Sequence, residues 1–165
     1  MNKYFVLIII VILGFIIFRK PTPKPVVNQP VPQEQQFKLP DNWKTVENST
    51  VALKLEKTVN QGLKPEIVLI NSVSKDALTP AKYIDRLLAG AKSAIPSLRI
   101  TKDQRSTDKD IYSATVSGYY FNNKTKVNLL QRIYIKGETV STLTASFADG
   151  LESEINPILD SIKAF

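Results

Sequence analysis

Residues 111–136, IYSATVSGYYFNNKTKVNLLQRIYIK, hold two long β-branched and aromatic runs, Ile111 to Phe121 and Thr125 to Lys136, around a pair of asparagines. Asn122 and Asn123 tolerate positive φ, so the runs read as two strands joined by a tight hairpin. Downstream, a turn at Gly137 leads into a further strand over Glu138 to Phe147. Leu143, Ala145 and Phe147 share one of its faces, and Val140, Thr142 and Thr144 share the other. A closing helix is expected from about Gly150 to Phe165, because Ile155, Ile158, Leu159, Ile162 and Phe165 fall at helical spacing and would dock it on the sheet. Pro157 interrupts that pattern. Either the helix starts afresh with Asn156 as its cap and Pro157 in the first turn, or LESE at 151–154 is a separate short piece.

Upstream of the hairpin, a strand is expected near Leu98 to Thr101, followed by a charged loop from Lys102 to Asp110. Thr79 and Pro80 mark a helix start, a threonine cap with proline at the first helical position. Ile84, Leu87, Leu88, Ala91 and Ile95 then form one apolar stripe, which Pro96 ends. Before this helix, Glu66 to Ser74 (EIVLINSVS) reads as a central strand and Val51 to Lys57 as a half-buried one, with Gly62 and Pro65 punctuating the interval. The opening FKLPDNW, 37–43, contains a turn at Pro40 and Asp41, a core Trp43 and then a short first strand over Lys44 to Val46. The order β-β-β-α-β-β-β-β-α contains hairpins rather than alternating βαβ units. It predicts an α+β class, a mostly antiparallel sheet with helices packed on it.

The opening FKLPDNW, the helix TPAKYIDRLLAGAK, the runs DIYSATVSGYY and LLQRIYI, and the ending STLTASFADGLESEINPILDSIKAF are together similar to the PsbP-like superfamily. The resemblance covers roughly residues 37 to 165. It is strongest where a strand of small and hydroxyl side chains leads to a helix finishing in Ser161, Ile162 and Phe165. That superfamily includes the extrinsic photosystem II subunit and many exported bacterial relatives. The resemblance implies an α/β/α sandwich and a binding or assembly role rather than an enzyme. Its photosynthetic members associate with calcium or manganese, but none of their ion-binding residues is matched here. The residues themselves imply no cofactor, and calcium enters only by way of that resemblance.

Ahead of this domain lies Tyr4 to Phe18, YFVLIIIVILGFIIF, fifteen consecutive apolar residues. As a helix it would be about 22 Å long, short against a hydrocarbon core of about 30 Å, so Lys3, Arg19 and Lys20 must snorkel to the headgroups. Cleavage as a signal peptide needs small residues after the apolar core, and here Phe18 is followed by Arg19, Lys20 and Pro21. An uncleaved signal-anchor over residues 1–20 is expected, with the lipid bilayer as partner of Tyr4 to Phe18. Residues 21–36 form a proline-rich linker, with Pro21, Pro23, Pro25, Pro30 and Pro32, too poor in amide donors for helix or ladder. The globular domain then occupies residues 37–165. Lys3 against Arg19, Lys20 and Lys24 is a slight charge bias the wrong way for an external domain. A single amino-terminal segment followed by one autonomous domain is nonetheless expected to leave that domain outside the cytoplasm, in a single-pass protein of the cell membrane, since long domains translocate largely regardless of charge.

The formal charge of +7 divides into +3 over residues 1–36, four basic against one acidic, and +4 over the rest, eighteen against fourteen. A mild excess of that kind suits the neighbourhood of anionic lipid. It falls short of the concentrated basic face that nucleic-acid binding needs. The chain has no histidine and no cysteine, which removes the usual zinc sites, cysteine nucleophiles and serine-histidine triads. Asp103, Asp108 and Asp110 could offer oxygen ligands to calcium. They lack the glycine turn and closing glutamate of an EF-hand loop, however, and Lys102, Arg105 and Lys109 oppose a cation there.

The remaining candidate is an aromatic cluster on the hairpin: Tyr112, Tyr119, Tyr120, Phe121 and Tyr134. Cross-strand packing accounts for most of it. On whichever face the helices leave bare, Tyr112, Tyr119, Tyr120 and Tyr134 with Arg132 and Gln131 would form a protein-partner patch, since such residues give contact area at little entropic cost. The expected function is a non-catalytic, membrane-tethered binding or assembly module with a protein partner in the envelope. A carboxylate- or metal-dependent extracytoplasmic enzyme and a structural surface protein are the alternatives, the former requiring a deep pocket with converging acids.

Overall fold

The computed structural model describes residues 39–48, 50–74 and 78–162. The expected anchor over 1–20 and linker over 21–36 lie outside the described residues, as do Phe37 and the last three positions. Among the described residues, no helix is long and apolar enough to cross a membrane.

Seven strands form one sheet: β1 (Trp43–Thr45), β2 (Leu53–Lys57), β3 (Glu66–Val73), β4 (Arg99–Asp108), β5 (Ile111–Asn122), β6 (Thr125–Lys136) and β7 (Thr139–Phe147). Their spatial order is β1-β2-β3-β7-β6-β5-β4, and every neighbouring pair is antiparallel. Two meanders build it. β1 to β3 run outward from one edge, helix α1 (Pro80–Ala94) carries the chain across to the far edge, and β4 to β7 return until β7 pairs with β3. Helix α2 (Glu152–Ser161) follows β7.

The helices sit on opposite faces, so the α+β class expected from the element order takes the three-layered form. On one face Ile155, Ile158 and Leu159 of α2, with Ile162, pack on Trp43, Leu55, Ile67, Leu69, Leu130, Leu143, Ala145 and Phe147. On the other, Tyr83, Ile84, Leu87 and Leu88 of α1 pack on Ala114, Val116, Ile133, Ile135 and Val140, while Ala91 and Ile95 meet Tyr120, Val127 and Leu129. Alternation along β6 and β7 sends side chains to both faces and so feeds both cores at once. Each helix spans only part of the sheet: α2 covers the β1-β2-β3-β7 side of its face, and α1 covers the β7-β6-β5-β4 side of the other.

Local chemistry explains the element ends. The Thr79 side chain accepts from the Lys82 amide at 3.4 Å with Pro80 at the first helical position, as the sequence predicts. The β5–β6 turn is displaced by one residue from expectation. Asn122 pairs with Thr125, and Asn123 (φ 47°) and Lys124 (φ 71°) take the two left-handed positions. Two consecutive positive φ values match the right-handed twist of the flanking strands.

Two expectations are corrected. Lys102 to Asp110 is not a charged loop; β4 continues through it to Asp108. β4 is an edge strand, exposed along most of its length, so its side chains need no apolar alternation, and charges along such an edge oppose strand-to-strand aggregation. The closing helix neither restarts at Asn156 nor breaks after LESE: α2 is continuous from Glu152 to Ser161 with Pro157 inside it. Pro157 is exposed, so the hydrogen bond its missing amide cannot give to the Ser153 carbonyl is lost on the watery side. Instead of capping, Asn156 donates its side-chain amide to the Glu152 carbonyl at 2.9 Å.

Candidate partner-binding face

Among the described residues α2 packs on β1, β2, β3, β7 and the neighbouring Leu130 but not on β5 or β4, so within that set the α2-side face of β6, β5 and β4 is bare. Registers identify its occupants: Tyr134 pairs with Ser113, Arg132 with Thr115, Asn128 with Tyr119 and Lys126 with Phe121, while Gln104 of β4 lies beside Thr115. The surface is thus hydroxyl-rich through its middle and aromatic toward the hairpin tip.

The expected patch divides between the two faces. Tyr119, Arg132 and Tyr134 lie on the bare half-face, each partly buried. Tyr112 and Tyr120 point to the α1 side. Tyr112 packs at the margin of the α1 core, and Tyr120 is only 2% exposed. Burial, the nearby Glu66 charge and a hydrogen bond with Ser146 acting the other way leave the Tyr120 phenol pushed up to about 12. Gln131 is likewise interior on the α1 side and donates to the Thr144 hydroxyl at 3.2 Å.

Within the bare face several polar groups are oriented by a neighbour. The Arg132 guanidinium meets Asp160 of α2 at 2.5 Å, tying the helix to the margin of the bare face. Lys126 and Asn128 both donate to Asp149 at 2.8 Å. The Lys126 ammonium also stands 5.3 Å from the centre of the Tyr119 ring, whose neighbour Phe121 approaches edge-on at 5.9 Å between centroids. Phe121 is 53% exposed. Lys126, Asn128 and Asp149 are site residues that sequence reasoning missed. The signal for the first two was the two-residue turn, which fixes what stands opposite Tyr119 and Phe121; Asp149 follows β7 in a loop and gave none.

The three aspartates weighed as calcium ligands do not converge. Asp103 faces α1 and is bound by the Arg105 fork at 2.7 and 2.9 Å, which holds its carboxyl below the ordinary range, with slight burial opposing. Arg105 also meets Asp85 of α1 at 2.7 Å. Asp108 and Asp110 flank the turn at the opposite end of β4, and Asp110 pairs with Lys136 at 3.2 Å. Among the described residues, no group of three or more acids could hold a metal ion.

One further polar cluster lies away from the bare face, on the α1 side of β2 and β3. Lys54 bridges Glu56 at 3.0 Å and Glu66 at 3.2 Å, and Lys64 also reaches Glu56. Glu66 is 8% exposed, and its Oε1 has no hydrogen-bond partner among the described residues. Burial raises its carboxyl above the ordinary value despite Lys54.

No family model matches the sequence, and no curated protein does. Solved structures do match. A cyanobacterial PsbP (CyanoP) from Synechocystis superposes with a TM-score of 0.55 at 11% identity, over 74% of this chain and 79% of that one. LpqN of Mycobacterium tuberculosis, involved in cell envelope biogenesis, gives 0.54 at 20% identity over 75% of each chain. A protein of unknown function from Pseudomonas aeruginosa gives 0.54 at 13% identity, over 72% of this chain and 76% of that one. Together with the seven-stranded antiparallel sheet between two helices, these likenesses show that the chain has a PsbP-like fold.

Proposed function

We propose that the protein is a non-catalytic binding or assembly module of the cell envelope, tethered by residues 1–20, whose partner docks on the bare half-face of β6, β5 and β4. The observation that carries this reading is the bare face itself. This face presents Tyr134, Tyr119 and Arg132 beside Ser113, Thr115 and Ser117, a mixture of aromatic, basic and small hydroxyl side chains. Aromatic side chains with few rotatable bonds, spaced by small hydroxyls on paired strands, offer contact area that loses little entropy on binding. The involvement of LpqN in cell envelope biogenesis supports an envelope setting. On this face the Ser106 and Ser113 hydroxyls hydrogen-bond each other at 2.8 Å across β4 and β5.

Site-specific photo-crosslinking of the full chain in its own membranes tests the reading. A photoreactive residue at Tyr134 or Ser117 should give a discrete protein adduct that Thr115→Arg abolishes. The same probe at Lys82, on the exposed side of α1, should give none. Adducts of equal yield from all three positions, or from none, would overturn the proposal.

A further inference from the structure

Both exposed large hydrophobics among the described residues lie at ends of the sheet, and the ends differ. Phe121, 53% exposed, is near the tip of the β5–β6 hairpin, and Val73, 39% exposed, closes β3 at the opposite end. The hairpin end is also where the chain enters from residues 1–38. Trp43 pairs with Lys57, the last residue of β2; Glu66, the first of β3, pairs with Ser146 near the end of β7; and Arg99, the first of β4, pairs with Tyr119. Fifteen consecutive apolar residues, Tyr4 to Phe18, lie upstream of that point.

The hairpin projects beyond its neighbour. β7 ends at Phe147 opposite Asn128, yet β5 and β6 continue pairing through Phe121 with Lys126 to Asn122 with Thr125. Around the projecting phenylalanine stand Arg99, Lys124 and Lys126. Lys126 is held by Asp149 and lies in the field of Glu152, so the positive charge left unpaired near the tip among the described residues is that of Arg99 and Lys124. Arg99 donates only to the carbonyls of Pro96 and Leu98, and neither it nor Lys124 forms an ion pair among the described residues. At the opposite end, Asp108, Asp110 and Glu138 outnumber Lys109 and Lys136 at the turns.

We infer that the projecting β5–β6 hairpin, with Phe121 as its apolar tip and Arg99, Lys124 and Lys126 around it, docks on the anionic headgroup layer of a lipid bilayer. The inference rests on the tethered reading for its orientation, since the upstream chain leads from the same end. Its chemistry is separate. An exposed aromatic ring seats at the boundary of acyl chains and headgroups, while long basic side chains reach lipid phosphates, and their attraction falls off within a Debye length. A tyrosine-supported phenylalanine on a paired strand, just before a two-residue turn, places that ring without ordering a loop. Docking would fix the height and tilt of the bare half-face above the membrane.

The test uses the full chain carrying Phe121→Trp, with wild type as the blank for the buried Trp43. It is reconstituted with vesicles of brominated phosphatidylcholine, alone or mixed with brominated phosphatidylglycerol. In the mixed vesicles the new tryptophan should be quenched at least twofold and blue-shifted. High salt, or the further change Arg99→Gln with Lys124→Gln, should relieve the quenching, and Val73→Trp in place of Phe121→Trp should stay unquenched. A chain that floats with both kinds of vesicle and shows no quenching at position 121 overturns the docking and leaves the tether standing. A chain that fails to float with phosphatidylcholine alone removes the tether, and the docking then stands only if mixed vesicles still bind the chain and quench position 121. Equal quenching at 73 and 121 also overturns it.

Discussion

The indole N–H of Trp43 donates to the Glu154 carboxylate, joining the first residue of β1 to the first turn of α2 across 111 positions of sequence. The same carboxylate receives the Lys57 ammonium at 2.5 Å. The short edge strand and the closing helix are thereby fastened at one point, which is also where the chain enters the domain. β1 has only three residues and could not hold its edge by ladder hydrogen bonds alone. Its stability comes from this cross-link and from burial of Trp43 in the α2 core.

Glu154→Ala should therefore loosen both ends of the domain together. Burial disfavours the ionised carboxyl, but the hydrogen bonds from Lys57 and Trp43 outweigh it and hold Glu154 below its ordinary value. The stabilisation is present above the unfolded value and is lost as pH falls through the lowered folded one, so it should fade below about pH 4.5. Loss of two charge-assisted hydrogen bonds at a partly exposed site should cost about 1–2 kcal/mol at pH 7. Trp43 is the single tryptophan of the chain, so its emission follows the change directly in a urea titration. A midpoint equal to that of wild type at pH 7 would dismiss the fastening.

Gln131 and Thr144 form a buried polar pair between the two central strands, beneath α1. Thr144→Val keeps the shape and strands the Gln131 amide, with an expected cost of about 1–3 kcal/mol. The double change Gln131→Leu with Thr144→Val removes both partners and should recover most of that loss. Chemical denaturation of the two singles and the double measures the coupling. Additive costs would mean that the pair makes no net contribution.

Gly118 fixes the seam between β5 and the edge strand. A Cβ there would be driven into the carbonyl of Arg99, next to the β-bulge between Ile100 and Lys102. The obstacle is backbone, which cannot rotate aside as a side chain could. Gly118→Ala should cost about 1–3 kcal/mol and release amide protection in β4 before the rest of the sheet. Hydrogen exchange followed residue by residue would show it, and uniform loss across the sheet would contradict the assignment.

Most strands, the cap of α1 and the two core stripes could be read from periodicity, because β3, β5, β6 and β7 are central and their burial is written into alternation. The departures share a cause. Lys102 to Asp108 lies on an edge, where burial imposes no pattern, so its charges resembled a loop. Pro157 lies on the exposed side of α2, where packing by Ile155, Ile158 and Leu159 outweighs one missing hydrogen bond. Tyr119 and Tyr120 are adjacent and must face opposite ways, which the alternation contains. Which way each faced was invisible until α1 and α2 had been assigned to their faces, and that assignment depends on contacts far apart in sequence.

Glu66 gives the clearest pH signature. The groups facing it are Lys54 and Glu56 from β2, Lys64 from the preceding loop and Tyr120 from β5. Burial is the largest influence on its carboxyl and raises the folded value above the ordinary 4.5, although Lys54 pulls the other way. A raised folded value means that the native state binds the proton more tightly than the unfolded chain does. Stability from this residue is therefore greatest below about pH 4.5 and falls as pH rises toward the folded value. Glu66→Gln removes the buried charge, offers the orphaned side-chain position to a neutral amide and leaves Lys54 its contact with Glu56. At pH 7 the variant should match or exceed wild type by up to about 1 kcal/mol, and at pH 4 that advantage should vanish. Thermal melts at the two pH values decide it. A variant destabilised at pH 7 but unaffected at pH 4 would show that the Lys54 pair, rather than desolvation, governs this carboxylate.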